Sequence, residues 1–141
     1  MNNILLKSYL RCKRKAWLDF QGDKSFKSCS PHTSIKLINE TSNFSKFTKG
    51  NLSSGLKSCE RGIQGIVGLR IKTNLNEKYQ VEVYPPLIVK TSGKSKWGEY
   101  KYIPAVSKLG RKITKEHLFD LALCSISLES IQESATNHGL V

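Results

Sequence analysis

Residues 66–89, IVGLRIKTNLNEKYQVEVYPPLIV, decide the fold. Val67, Leu69 and Ile71 alternate with Gly68, Arg70 and Lys72, and Tyr79, Val81 and Val83 alternate with Lys78, Gln80 and Glu82. Successive side chains on a strand point to opposite faces, so this spacing predicts two strands joined across Asn74 to Glu77. Leu87 to Val89 reads as a third, short strand. The Pro85-Pro86 pair before it belongs at a sheet edge or strand start, because proline has no N–H to give to a ladder. After a Gly/Ser/Lys turn, Glu99 to Lys108 predicts a fourth strand, with Tyr100 and Tyr102 on one face and Ile103 on the other, ended by Gly110.

Helical periodicity flanks these strands. Leu5, Tyr9, Ala16, Trp17 and Phe20 predict one helix over 4–20, whose Lys7, Arg11, Arg14 and Lys15 fall at i, i+4, i+7 and i+8 and so share one basic stripe. Residues 22–55 read as loops around one short helix near Ile35, Leu37 and Ile38. Thr114 caps a helix from Lys115 to about Glu133, in which Leu118, Leu121, Ala122, Cys124, Leu128 and Ile131 place apolar side chains almost all round. Such a helix belongs in a core. Helix, strands, helix predicts an α/β architecture with a mixed sheet covered by helices.

With 141 residues, residues 1–141 are expected to form a single domain with one core. Lys and Arg number 23 against 11 Asp and Glu, a formal net charge of +12, which points to a polyanionic partner and above all to nucleic acid. No run of 18 apolar residues is present and no apolar segment follows Met1-Asn2-Asn3, so no membrane partner is expected and the compartment reads as cytoplasmic, with reduced thiols. Cys12, Cys29, Cys59 and Cys124 show no zinc-ligand spacing. By itself Cys12 reads as a buried structural thiol. His32, His117 and His138 have no partners at ligand spacing. Trp97, Tyr100 and Tyr102 could stack on bases, but aromatic residues in a strand are more often packing.

Two segments carry a family resemblance. LLKSYLRCKRKAWLDFQGD at 5–23 is similar to the opening helix of RecB-like nucleases of the PD-(D/E)XK class, a group related to the CRISPR-associated RecB-like nucleases. YPPLIVK at 84–90, WGEYKYIPAVSKLGRK at 97–112 and EHLFDLALCSISLESIQ at 116–132 resemble, in order and spacing, the catalytic strands and following helix of the same group. The resemblance implies a restriction-endonuclease-like mixed sheet flanked by helices. It also implies that the chain is the N-terminal part of such a domain, truncated at its C-terminus. In the family the nuclease domain continues, and a further ribonuclease-H-like domain can follow.

The chemistry implied is Mg²⁺-assisted phosphodiester hydrolysis of DNA, in which two acids at strand ends hold the metal and a lysine steadies developing charge. Here the motif is degenerate. Pro86 and Val106 stand where the acids are expected, and Asp120 and Cys124 stand where the following helix carries Gln and Tyr. Lys108 keeps the catalytic-lysine position. Cys12 matches an iron-sulfur ligand, and a cluster would need three further cysteines downstream that these 141 residues lack. The expectation is a nucleic-acid-binding domain without its own metal centre, contacting phosphates through Lys7, Arg11, Arg14, Lys15, Arg111 and Lys112. Two alternatives stay open: an active nuclease using Glu82, Glu99 or Asp120 as substitute acids, and a structural remnant.

Overall fold

Where the alternation at 66–71 suggests one strand, the computed structural model, which describes residues 2–28, 30–108, 110 and 112–141, has two strands in different sheets. Gly68 adopts φ 64°, a left-handed conformation that costs glycine little, and it turns the chain out of one sheet and into the next. The alternation holds beyond that corner, where Ile71 and Thr73 are buried between exposed Lys72 and Asn74, whereas β2 is covered on both faces.

The elements run α1 (Asn3–Arg11), α2 (Lys13–Gln21), a 3-10 turn (Lys24–Phe26), α3 (Pro31–Phe47), β1 (Leu52–Ser54), α4 (Lys57–Glu60), β2 (Gly65–Val67), β3 (Ile71–Asn74), β4 (Gln80–Val83), β5 (Leu87–Ser95), β6 (Gly98–Ala105) and α5 (Lys115–Gln132). The main sheet is mixed, in the order β1-β2-β5-β6, with β1 parallel to β2 and the other neighbours antiparallel. β3 and β4 form a separate antiparallel hairpin. The chain is therefore mixed α/β with helices flanking the sheets.

Opposite faces of the main sheet are buried by different elements. Ile66, Ile88 and Tyr102 pack with Cys59, Leu69, Ile71 and Leu128, while Leu87, Val89 and Ala105 pack with Phe44 of α3. A third cluster joins Val81 and Val83 of the hairpin to Cys124 of α5, with Leu6 of α1 against it. Burial of each large aliphatic side chain contributes roughly 1.5–3 kcal/mol. Tyr102 anchors the first cluster, with Trp97 and Tyr100 edge-on to it at 5.8 and 6.0 Å between ring centres.

Several sequence expectations need correction. The helix over 4–20 is broken at Cys12, whose extended backbone closes α1 and opens α2. No residue there forbids a helix. Tertiary contacts override the periodicity, because the bend lets α1 dock on α5 while α2 folds back on α1 through the buried Ala16 and a 2.7 Å hydrogen bond from Ser8 Oγ to Asp19. The short helix near Ile35 is α3, with 17 residues, capped by the Ser30 side chain and opened by Pro31.

β5 also continues through the segment expected to be a turn. Gly93 permits this, since a Cβ there would stand 2.9 Å from the Lys101 side chain, and the reversal comes at Lys96-Trp97 instead. β6 ends at Ala105, short of Lys108. Finally, α5 is not buried all round: Leu118 and Ile126 are exposed while Leu121, Cys124 and Leu128 are buried. Beyond α5 the chain returns to the outer edge of β6, where Leu140 forms a parallel bridge to Ala105. No helix among the described residues is long and apolar enough to cross a membrane.

Candidate functional site

The end of the β5–β6 pair fixes one wall of a cleft of about 310 Å³. The register ends with the pair Leu87 and Ala105, and the residues just outside it, Pro86 and Val106, both line the cleft. The opposite wall comes from α1 and α5, with Lys7, Arg11, Glu116 and Asp120. Lys36 and Glu40 of α3 close one side.

Asp120 is the deepest charge, 4% exposed, and both its carboxylate oxygens are engaged. Asn3 Nδ2 donates to one at 2.9 Å and Lys7 Nζ donates to the other at 2.9 Å. Asn3 is itself buried and clasps the backbone of Tyr84, accepting from its N–H at 3.1 Å and donating to its carbonyl at 3.3 Å. One asparagine thus ties α1 to the turn before β5 and to α5. No sequence signal marks Asn3, because its partners lie 81 and 117 residues away.

The predicted basic stripe is divided between two helices, although Lys7, Arg11 and Lys15 still line the one cleft. Lys7 and Arg11 belong to α1, and Arg14 and Lys15 to α2. Arg11 pairs with Glu116 at 2.7 Å, and this contact holds the Glu116 carboxyl below its ordinary range. Lys15, Ser8 and Lys27 surround Asp19 and hold it well below the usual carboxylate range. Separating the four cations between two helices removes like-charge repulsion and gives three of them carboxylate partners. Arg14 and Lys112 lie exposed on the surface. Arg111 lies outside the described residues.

Lys108 is half-buried and lines a neighbouring apolar groove with Phe44, Phe47 and Leu140 rather than the cleft. Residues i and i+2 share a face only within a strand, and β6 has ended before Val106. Of the substitute acids considered, Asp120 alone is in the cleft. Glu82 is held by Arg70 and the Tyr84 hydroxyl, and Glu99 is exposed on β6. Glu116 and His117 are cleft residues that sequence reasoning passed over. His117 Nδ1 accepts from the Thr114 N–H at 3.1 Å and completes the cap of α5, so the neutral ring carries its proton on Nε2. The Thr114-x-x-His117 spacing was the available signal.

The donor set does not fit a divalent cation. Mg²⁺ takes carboxylate and water oxygens in near-ideal octahedral geometry. Pro86 and Val106 are apolar, Asp120 is saturated by Asn3 and Lys7, and Glu116 is taken by Arg11. Among the described residues no group of three His, Cys, Asp or Glu side chains is placed to hold a metal.

Cys12 is exposed, not the buried thiol that its neighbourhood in sequence suggests. Its position at the start of α2 lowers its thiol pKa, chiefly through the backbone N–H groups of Lys15 and Arg14. Burial pushes Cys59 up to about 11 and Cys124 still higher. Iodoacetamide at neutral pH should therefore alkylate Cys12 of the native protein at least tenfold faster than Cys59 or Cys124, and the Cys12 rate should hold up to lower pH than that of an ordinary thiol. Peptide mapping of each site over time checks this, and equal rates at the three would refute it.

Comparison of the chain with protein-family models, curated proteins and solved structures gives no match.

Proposed function

We propose that this chain is a nucleic-acid-binding domain of the RecB-like nuclease class, restriction-endonuclease-like in fold and without catalytic metal ligands. The observation that carries the reading is the cross-strand placement of Pro86 and Val106. The two positions at which the resemblance calls for acids flank the last β5–β6 pair and line the same cleft as Asp120. The net charge of +12 supports a polyanionic partner, with DNA the substrate that the resemblance suggests.

The ion pairs of Lys7, Arg11 and Lys15 favour a second reading, a scaffold that binds no nucleic acid. Exposed pairs of this kind are worth only about 0–1 kcal/mol, so a phosphate can compete for Arg11 and Lys15 at little cost. Lys7, tied to a buried carboxylate, is not available in the same way.

A salt series separates the two readings. The chain should bind single- or double-stranded DNA with little sequence preference and leave it uncut in Mg²⁺ or Mn²⁺. The logarithm of its affinity should fall with the logarithm of salt concentration at about −0.9 per duplex phosphate neutralised. Changing Arg11, Arg14, Lys15 and Lys112 to Gln should flatten that slope by roughly two to four contacts. An unchanged slope with unchanged affinity would sink the interface, absence of binding by the folded parent would favour the scaffold, and metal-dependent cutting would overturn the loss of the metal centre.

A further inference from the structure

The disagreement between the cleft and a metal centre has a specific cause in Lys7. Asp120 is a buried carboxylate, and a buried charge is stable only when paired and hydrogen-bonded. In a metal-dependent cleft a divalent ion performs that neutralisation. Here the nearest cation is the ε-ammonium of Lys7, whose side chain is 30% exposed, lines the cleft and sits 2.9 Å from Asp120 Oδ2. The remaining oxygen is filled by Asn3, whose own amide is fixed by the Tyr84 backbone just before the Pro85-Pro86 turn.

The strand ends supply no charge of their own, since Pro86 and Val106 face the cleft without carboxylates. One buried carboxylate balanced by one ammonium is a complete electrostatic arrangement. A divalent ion added to it would meet a cation 2.9 Å from the available ligand, and like charges at that range are strongly unfavourable in a partly buried site. An ammonium has three donor hydrogens, and Asp120 uses one, so the others can meet an anionic oxygen entering the cleft.

We infer that Lys7 is a tethered cation: its ammonium takes the charge-compensating role of a divalent ion at Asp120, so that the cleft excludes such an ion and receives a phosphate oxygen directly. The exclusion of metal stands on the Lys7–Asp120 geometry together with the apolar Pro86 and Val106, and only the phosphate ligand rests on the nucleic-acid reading proposed above.

The experiment exchanges one cation for the other. Thermal unfolding is followed with and without Mn²⁺ for the parent, Lys7→Met, and Lys7→Met combined with Asp120→Asn. The parent should be indifferent to Mn²⁺. Lys7→Met should melt lower in metal-free buffer and gain roughly 4 °C at Mn²⁺ ten times its Kd, because a ligand of the folded state alone stabilises it by mass action. The double variant should show no Mn²⁺ response. Should Lys7→Met not fold, Lys7→Gln keeps a hydrogen-bond donor for Asp120, removes only the charge, and carries the same expectation. A Mn²⁺ response in the parent, or none in the folded single variant, overturns the tethered cation. In parallel, DNA binding by the parent should be the same in EDTA and in Mg²⁺. Failure to bind DNA with the Mn²⁺ pattern intact would remove the nucleic-acid reading and leave the cation exchange standing.

Discussion

Gln132→Leu should destabilise the fold by about 3–5 kcal/mol, although leucine nearly matches glutamine in volume. Gln132 is fully buried at the end of α5 and stands where a neighbouring strand would stand beside β6. Its Oε1 accepts from the Tyr102 N–H at 2.9 Å, and its Nε2 donates to the Tyr102 carbonyl at 3.2 Å. The same amide reaches the Ser134 carbonyl and the Thr136 hydroxyl. Leucine would leave both polar groups of Tyr102 buried without partners, at about 1–3 kcal/mol each. Gln132→Glu retains the acceptor and loses the donor, so it should also destabilise. Urea unfolding monitored by Trp fluorescence measures the change, and a loss under 1 kcal/mol for the leucine variant would show that the edge satisfies itself in another way.

Asn3→Ala is expected to cost roughly 2–5 kcal/mol, as the Tyr84 N–H and carbonyl and one oxygen of Asp120 lose their partner together. In a chain of this size that corresponds to a melting point lower by about 10 °C. Asn3→Asp provides the diagnostic contrast. It keeps an acceptor for the Tyr84 N–H but sets a second carboxylate against the buried Asp120, so it should destabilise more than alanine does. Calorimetry on both variants decides the matter. If aspartate were tolerated better than alanine, the clasp on Asp120 would not be the source of the effect.

The sequence was most legible where one element answers to one periodicity. α5 begins at Lys115 as expected and ends within a residue of Glu133, and the paired strands β3 and β4 follow the alternation of Ile71, Thr73, Val81 and Val83. Prediction failed where distant contacts decide. Cys12 carries nothing that breaks a helix, and the bend exists because Asn3, Lys7 and Arg11 have partners on α5. At Gly68 the alternation continues unbroken through a corner, so the pattern cannot reveal that the layers change. The four basic residues of the first helices were read from charge spacing alone. The carboxylate partners of Lys7 and Arg11, Asp120 and Glu116, are more than 100 positions away, where no local pattern records them, whereas Lys15 pairs with Asp19 four residues on. The cleft was legible through Lys7, Arg11, Lys15, Pro86, Val106 and Asp120, whereas Glu116, His117 and the clasp of Asn3 entered through packing.

The bend at Cys12 also bears on the order in which the molecule assembles. The two hairpins, β3–β4 and β5–β6, close short loops and can form early, since loop closure is cheap at small separation. The helical pair α1–α2 has to find α5 across more than 100 residues, through a few polar side chains and Leu6. Contacts that close the longest loops with the least apolar area are the last to form and the first to open. The N-terminal helices are thus expected to dock last, and the cleft is complete only once they have closed on α5.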